Sequence, residues 1–483
     1  MSYLGRQLNV PASTVQLTAE GAITAGKPCI VEADGDVAQV AAIAQAVGTP
    51  VVFESASTID TSVVYDSNAQ KVVIAYQDRG NSDYGTAIVG TVDPSDNSIS
   101  FGSAAVFESA DSYSMSAAYD SNAQKVVIVY RDGGNSQYGT AVVGTVSGTS
   151  ISFGTPVVFE SAYTDVPSVA YDSNAQKVVI AFRDVGNSNY GTAIVGTVSG
   201  TSISFGSAAV FESANVEFIG LAYDSNAQKV VIAYQDGGNS DYGTAIVGTV
   251  SGTSISFGSA AVFESATTRS VTAVYDSNAQ KVVIVYEDDD NSDYGTAVVG
   301  TVSGTSISFG SAVVFAAVNT GDPFAVYDSG AQQVVIAYKN NSFAAYGTVI
   351  SGTVSGTSIS FGSAVVFESA EASYISAAYD SNANRTVIAY KDGGNIDYGT
   401  AVVFKASSTN ITSENFIGFA ENDCTDNGLA TIQLGGSVND KQTSLTAGQT
   451  YFVQTDGTIG TTAASPSVTA GTAVSSTEIL VKG

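Results

Sequence analysis

Short runs of β-branched and aromatic residues, separated by polar turns, follow one another along most of the chain. Residues 281–286 read Lys-Val-Val-Ile-Val-Tyr, which is too short and too branched for a helix and is typical of a strand. The polar stretch Asp-Ser-Asn-Ala-Gln at 276–280 precedes it as a turn. Three further runs in this part of the chain, 270–275, 294–302 and 306–315, also have strand character. The pattern predicts four short antiparallel strands in a unit of about 50 residues.

This unit recurs at a nearly constant spacing. Tyr-Asp-Ser-Asn-Ala-Gln or a close variant begins at seven tyrosines: Tyr65, Tyr119, Tyr171, Tyr223, Tyr275, Tyr327 and Tyr379. The first interval is 54 residues and the other five are 52. A fixed period of this length is typical of propellers and solenoids, and four strands per unit favour a propeller. We therefore predict an all-β protein with a seven-bladed β-propeller.

The ends of the repeat array predict how the ring closes. Residues 48–55 match residues 154–161 one for one and precede the first unit, whereas the last unit stops near Phe404 without its own Phe-Glu-Ser-Ala segment. We expect residues 51–55 to pair with the strand at 398–404. That pairing would leave no long strand edge open.

Residues 1–47 and 405–483 lie outside the repeats, which occupy 48–404. Ring closure would bring residues 48 and 404 together, so the two flanks would leave the propeller side by side. Both flanks contain a turn, a strand and an Asp-Gly turn, at 26–35 and at 446–457. We predict that the propeller is inserted into one small discontinuous β domain.

Composition excludes several classes of function. The chain has 45 acidic and 17 basic residues, a formal charge of −28, which disfavours nucleic acid as a partner. It contains neither histidine nor tryptophan, so His-dependent triads and His-ligated metals are excluded. Two cysteines are too few for a disulfide scaffold. No apolar run predicts membrane insertion, and residues 1–8 lack the apolar core of a signal peptide.

The flanks and repeats also show a family resemblance. The segments that carry it are 416–420 (Phe-Ile-Gly-Phe-Ala), 430–436, 451–454, 470–474 and 479–481. Their order resembles modules of marine phage virion proteins and is similar to the small β domain of lambda-type head decoration proteins. The 52-residue repeat resembles propeller repeats of phage fibre proteins. The resemblance implies a location on the virion surface, other virion proteins as partners, and a homo-oligomer, such as a trimer, formed through the flanking domain.

Comparison of the seven units points to candidate binding residues. The stretch between Phe-Glu-Ser-Ala and Tyr-Asp-Ser changes almost completely, as do positions around the second loop of each unit, while the rest hardly varies. In an antiparallel blade both segments open on one face, and loops on a rigid scaffold often carry recognition. Aromatic faces with polar neighbours suit sugar binding. The candidate ligand-binding residues are Tyr113, Tyr163, Phe218, Arg269 and Tyr374. Two alternatives stay open: free drift of these positions, and packing of Phe218 between blades.

No catalytic, cofactor-binding or metal-binding residue is predicted. A glutamate recurs in six units, with Ala316 as the exception, and residues identical in every blade are explained most simply by blade structure. Three of the six arginines fall in the second-to-third strand region of successive blades, so they are expected to be spread around the rim without forming a sialidase-type cluster. Residues 288–293 carry oxygen ligands at alternate positions, as a calcium loop does, but lack the glycine and distal glutamate of an EF-hand. Ca²⁺ is the one cofactor that the sequence leaves open.

Together these inferences predict a non-enzymatic phage virion structural protein. As a capsid decoration protein or head fibre, it would display the propeller for adhesion to glycans on the host surface. Two alternatives remain, a tail-fibre receptor-binding protein and a propeller-type carbohydrate-active enzyme.

Overall fold

The computed structural model describes residues 14–464 and 466–482. The described residues form two compact units. Residues 14–45, 407–464 and 466–482 make the flank unit, and residues 46–406 make the propeller unit. These limits lie within two residues of the predicted ones. Within the described ranges, no helix has the length and apolar character needed to cross a membrane.

Each repeat of the propeller unit begins with a 16-residue strand, which we call the spanning strand. Its first half pairs with the preceding repeat and its second half with its own, as Ala105 opposite Ala87 and Tyr119 opposite Val126 illustrate. The spanning strands are Val51–Asp66, Ala105–Asp120, Val157–Asp172, Ala209–Asp224, Ala261–Asp276, Val313–Asp328 and Val365–Asp380.

Three more strands complete each four-stranded blade, and we number the blades 1 to 7 by the seven repeat tyrosines. The second strands are Lys71–Asp78, Lys125–Asp132, Lys177–Asp184, Lys229–Asp236, Lys281–Asp288, Gln333–Asn340 and Arg385–Asp392. The third strands are Tyr84–Asp93, Tyr138–Ser147, Tyr190–Ser199, Tyr242–Ser251, Tyr294–Ser303, Tyr346–Ser355 and Tyr398–Lys405. Short outer strands lie at Ser98–Phe101, Ser150–Phe153, Ser202–Phe205, Ser254–Phe257, Ser306–Phe309 and Ser358–Phe361, and Ala46–Val47 takes this place in blade 7. Short 3-10 turns join second to third strands at Arg79–Asn81, Gly133–Asn135, Val185–Asn187, Gly237–Asn239, Asp289–Asn291 and Gly393–Asn395.

The first and last blades are joined by the predicted pairing. Val51–Asp66 runs antiparallel to Tyr398–Lys405, with Val51 opposite Ala401 and Val52 opposite Thr400. Ala46–Val47 extends the same edge, with Val47 opposite Phe404. The sheet therefore closes into a ring, and the predicted all-β propeller fold and its closure are confirmed.

The variable stretch of each repeat was expected to be a loop before a separate inner strand, and this was wrong. Ala261–Asp276 is one strand in which the register shifts between Arg269 and Thr272. The residue at this bulge has a left-handed backbone, with φ of 49° at Ser270. A bulge lets the strand twist sharply while its backbone stays hydrogen bonded. The seven equivalent bulge residues are Asp60, Ser114, Val166, Phe218, Ser270, Asp322 and Tyr374, all with positive φ.

The residues that recur in every repeat hold neighbouring blades together. Asp224 Oδ1 accepts hydrogen bonds from the amides of Asn226 at 2.9 Å and Ala227 at 2.8 Å, which closes the turn. The amide of Asn174, in the equivalent turn of blade 3, donates to the hydroxyl of Tyr223 in blade 4 at 3.2 Å. Five of the six recurring glutamates accept from buried tyrosines, as Glu212 does from Tyr234 at 3.2 Å, and Glu160 lies in the repeat that has Phe182 in place of the tyrosine. The structural interpretation of these residues is confirmed.

Replacement of Asp224 by alanine tests the turn. We expect Asp224→Ala to lower the free energy of unfolding by about 1–2 kcal/mol, because two backbone amides lose their acceptor. Asp224→Asn retains an oxygen acceptor and should lose less. Denaturant titration measures both variants. An Asp224→Ala protein as stable as the wild type would contradict this role.

The flank unit interleaves strands from both ends of the chain. Its first sheet contains, in order, Thr14–Thr18, Leu429–Gln433, Phe416–Ala420, Pro28–Val31 and Val37–Gln39. The second contains Val438–Asn439, Ile479–Val481, Val468–Ala473, Thr450–Val453 and Ile459–Gly460, and a two-stranded sheet joins Ala42–Ile43 to Ser408–Thr409. Ile30, Phe419 and Val453 share one buried core. Both flanks are therefore needed to form this unit.

The two cysteines are free thiols and do not form a disulfide. Cys29 is buried, and this burial raises the pKa of its thiol to about 12. Cys424 is half-buried and packs against a second core of this unit, which contains Cys29, Ala19 and Val37.

Candidate functional site

The variable segments of the propeller unit lie together, as the sequence predicts. The amide of Thr164, in the bulged part of a spanning strand, donates to the carbonyl of Gln137 in the loop after the second strand of the preceding blade, at 3.0 Å. The amide of Ser112 makes the equivalent bond to Asp83 at 3.2 Å. We call the surface formed by these two kinds of segment, around the ring, the variable face.

The bulge residues of all seven blades line a cavity of about 330 Å³. Two of the predicted ligand-binding residues, Phe218 and Tyr374, are among them. Tyr374 is 40% exposed, whereas Phe218 is half-buried and also packs against the core between blades. Phe218 therefore lines the cavity, as expected of a binding residue, and also packs between blades, as the alternative interpretation proposed.

Hydrogen bonds between neighbouring blades hold the bulges in their strained conformation. A bulky or β-branched residue with positive φ is energetically unfavourable, yet Val166, Phe218 and Tyr374 have φ of 41°, 48° and 52°. The amide of Tyr374 donates to Asp322 Oδ2 of the preceding blade at 3.2 Å. The hydroxyl of Thr61, in blade 1, donates to the carbonyl of Tyr374. These contacts fix side chains around the cavity mouth.

Tyr113 and Tyr163 form a second group, around Arg131. The Arg131 guanidinium carbon lies 4.8 Å from the centre of the Tyr113 ring and 5.3 Å from that of Tyr163. Its Nη1 donates to the Tyr163 hydroxyl at 2.7 Å. Such cation–π packing orders both rings. Tyr163 remains 39% exposed, while Tyr113 is half-buried.

A charged chain continues from Arg131 along the variable face. Arg131 pairs with Asp165 at 2.9 Å, Asp165 also pairs with Arg183, and Arg183 reaches Glu217 at 3.0 Å. The expectation that the arginines stay apart was therefore wrong for Arg131 and Arg183. Each arginine lies opposite the variable residue of its own spanning strand and close to that of the next blade. A single carboxylate can therefore bridge two of them.

Arg269, the fifth predicted residue, lies in an acidic corner and does not line the cavity. Its Nη2 pairs with Asp289 Oδ2 at 3.0 Å. Opposite it across the strand pair is Glu287, only 9% exposed. Burial, followed by the negative charge of Asp293, raises the pKa of Glu287 to about 7, although the positive charge of Arg269 opposes the shift. Arg269 thus partly neutralises an acidic group of its own chain.

The acidic side chains of the loop at 288–293 are engaged mainly by groups of the same chain. Across the described ranges, no three Asp, Glu, Cys or His side chains are arranged to hold a metal ion. Asp289 instead pairs with Arg269, and Asp293 Oδ2 accepts from the side-chain amide of Asn319 at 2.6 Å.

Sequence reasoning missed Arg131, Asp60, Asp322 and Glu287. Asp60 and Asp322 stand five residues before the repeat tyrosine, the same position as Phe218 and Tyr374. A comparison of the repeats position by position would have grouped these two aspartates with Phe218 and Tyr374. The contact of Arg131 with Tyr163 depends on the packing of blade 2 against blade 3 and leaves no signal in either repeat alone.

One solved structure with a TM-score above 0.5 supports the fold. No protein-family model and no curated protein matches the chain. The solved structure of BP39L lectin from Burkholderia pseudomallei is similar, with a TM-score of 0.54 at 10% identity over 74% of this chain and 99% of the lectin. A leech intramolecular trans-sialidase has a TM-score of 0.44 at 10% identity, over 74% and 69% of the two chains. A protein of unknown function from Dyadobacter fermentans has a TM-score of 0.45 at 10% identity, over 76% and 99%.

Proposed function

We propose that the propeller unit is a non-enzymatic carbohydrate-binding module that attaches to surface glycans through its variable face. One observation carries the proposal: four predicted aromatic residues are ordered there in two groups, at a 330 Å³ cavity and around Arg131. Sugar rings pack their C–H faces on aromatic side chains, while polar neighbours bond their hydroxyls. The fold that the chain shares with a lectin is compatible with this use.

We propose further that the protein is displayed on a phage particle, as a capsid decoration protein or head fibre. The flank unit would contact other virion proteins and assemble as a homo-oligomer such as a trimer. The resemblance of the flanks and repeats to phage modules supports this part, and a tail-fibre receptor-binding protein is the alternative. Labelling intact particles with an antibody against the propeller unit would distinguish head from tail. Absence of label from particles would overturn the virion proposal.

A carbohydrate-active enzyme is the second candidate, and one observation favours it. Glu287 has a pKa of about 7, which suits a general acid or base near neutral pH. The arginines speak against sialidase-type chemistry, because carboxylates of the same chain already pair with them. Arg79 lies 3.8 Å from Asp83, Arg131 and Arg183 share Asp165, and Arg269 binds Asp289. A bound glycan that is cleaved on long incubation would establish the enzyme.

Removal of three aromatic rings tests glycan binding. The wild-type full-length chain is first applied to a glycan array to identify the glycans that it retains. We expect the triple variant Tyr113→Ala, Tyr163→Ala, Tyr374→Ala to bind these glycans between about tenfold and about two-thousandfold more weakly, from roughly 0.5–1.5 kcal/mol per aromatic contact. Surface plasmon resonance on the retained glycans measures the change.

Phe343 provides the matched control for this experiment. It is an exposed aromatic of the variable face, 62% accessible, that does not line the cavity. Phe343→Ala should bind like the wild type, and thermal melting should show that every variant is folded. Equal binding by the triple variant and the wild type, or no retained glycan at all, would contradict the proposal.

A further inference from the structure

The cavity of the variable face has an uneven distribution of charge. Its lining contains two carboxylates, Asp60 of blade 1 and Asp322 of blade 6, and no lysine or arginine. Tyr374 of blade 7 lies between them in the ring. Burial raises the pKa of its hydroxyl most, and the negative charges of both carboxylates raise it further. One arc of the cavity is therefore acidic and carries an aromatic ring.

Each carboxylate has one oxygen engaged by the backbone and one facing no donor. Asp60 Oδ2 accepts the amide of Ser114 at 2.8 Å, and Asp322 Oδ2 accepts the amide of Tyr374 at 3.2 Å. Lys339 lies 3.8 Å from the same Oδ2 of Asp322. No hydrogen bond within the described ranges reaches Oδ1 of either residue. Two fixed acceptors are thus available at the cavity.

The negative charge of Asp60 is only partly stabilised by its neighbours after its removal from water. Burial is the largest cause that raises its pKa, and the amide of Ser114 and the charges of Arg131 and Arg79 only partly oppose it. A partly buried carboxylate in this situation gains most from a cation placed beside it.

The opposite arc of the cavity is apolar. Val166, Phe218 and Ile219 line it on blades 3 and 4, and the hydroxyls of Ser114 and Ser270 lie between the two arcs. A ligand that satisfies all three regions has a positive charge at one end, hydroxyl groups along its edge and an apolar face. The volume of about 330 Å³ holds one or two ring-sized groups.

We infer that the cavity binds a sugar with a protonated amino group, its ammonium between Asp60 and Asp322 and its ring against the aromatic side chains. The inference rests on the proposed glycan binding and names the class of sugar. A bare metal ion fits less well, since two carboxylates from opposite sides of Tyr374 are the only acidic groups in the lining and no three-ligand group exists among the described residues. An ammonium group needs only such well-placed acceptors and is further stabilised by an aromatic face.

The test compares D-glucosamine with N-acetyl-D-glucosamine, in which the amine is neutral, by calorimetric titration of the full chain at pH 6. We expect binding of glucosamine at least about tenfold tighter than that of the acetylated sugar, because two charge-assisted hydrogen bonds depend on the ammonium group. The double variant Asp60→Asn, Asp322→Asn should remove this preference. Asparagine keeps an oxygen that accepts the backbone amides, so the bulges should persist, and a thermal melt checks this.

The matched control is the double variant Asp241→Asn, Asp290→Asn. It removes the same charge from two exposed positions that do not line the cavity. This control should keep the preference for glucosamine, whereas loss of preference in both double variants would indicate a general effect of net charge and overturn the inference.

One further probe, choline, tests whether the sugar ring matters. Choline carries a cationic ammonium group without a sugar ring, and binding as tight as that of glucosamine would overturn the assignment to an amino sugar. Equal binding of glucosamine and its acetylated form would overturn the inference while the array glycans still support carbohydrate binding. Absence of binding of every sugar by the wild-type chain would overturn both the inference and the proposed function.

Discussion

Replacing Phe53 by alanine is expected to lower the free energy of unfolding of the propeller unit by about 3–5 kcal/mol, the usual cost of truncating a buried phenylalanine. Phe53 is 8% exposed and lies in the half of Val51–Asp66 that closes the ring. Its ring centre is 5.2 Å from that of Tyr76 and 5.8 Å from that of Phe101. The same ring packs on Gly399, where an added Cβ would meet it at 2.5 Å. Truncation therefore loosens blade 7 from blade 1.

Val52 provides the control for Phe53. It stands in the same strand opposite Thr400 but is 40% exposed, so Val52→Ala should change stability by less than about 1 kcal/mol. Urea unfolding followed by tyrosine fluorescence measures both variants. If Phe53→Ala costs no more than Val52→Ala, the closing strand contributes little to the ring.

Replacing Glu287 by glutamine is expected to change how stability depends on pH. The pKa of Glu287 in the folded protein is about 7, above its ordinary value of 4.5, so the folded state binds this proton more tightly than the unfolded state. The stabilisation by protonated Glu287 is complete below about pH 4.5 and is lost as the pH rises through 7. The difference between these two pKa values corresponds to roughly 3 kcal/mol of stability.

Glu287→Gln removes this loss, because glutamine stays neutral. The substitution fits the site: blades 1 and 4 carry Gln77 and Gln235 at the equivalent position, and Gln235 Nε2 donates to the carbonyl of Thr268 at 2.6 Å. Urea unfolding from pH 4.5 to 8.5 should show the variant gaining stability over the wild type as pH rises. A difference that does not change with pH would mean that Glu287 is ionised throughout. The other carboxylates titrate in both proteins, so the difference in free energy of unfolding between the two proteins reports on Glu287.

Much of the fold was predictable because it is encoded locally and repeated. Runs such as Lys281–Asp288 are strands by composition alone, and Asp-Ser-Asn turns mark their ends. The identity of residues 51–53 with 157–159 predicts the closing strand, and the pairing of Val51 with Ala401 confirms it. The same comparison of repeats identified the variable face, since positions that pack inside a blade hardly change.

The grouping of side chains within that face was not predictable. Each spanning strand continues through a bulge, and the residue with positive φ at that bulge lines the cavity. No turn motif in the sequence predicts this position. Tyr113 and Tyr163 come from adjacent repeats, and only Arg131 brings them together.

The amino-acid sequence by itself determined most of the strands, the repeat, the closure of the ring and which positions vary, because each depends on a few neighbouring residues or on identity between repeats. Only the tertiary structure decided which variable residues meet. Asp60 and Asp322 are 262 positions apart in the chain and line one cavity, and Glu287 owes its raised pKa to burial and to Asp293. The closeness of these residues in space and the burial of Glu287 arise from the packing of blades around the ring. No single repeat contains that information.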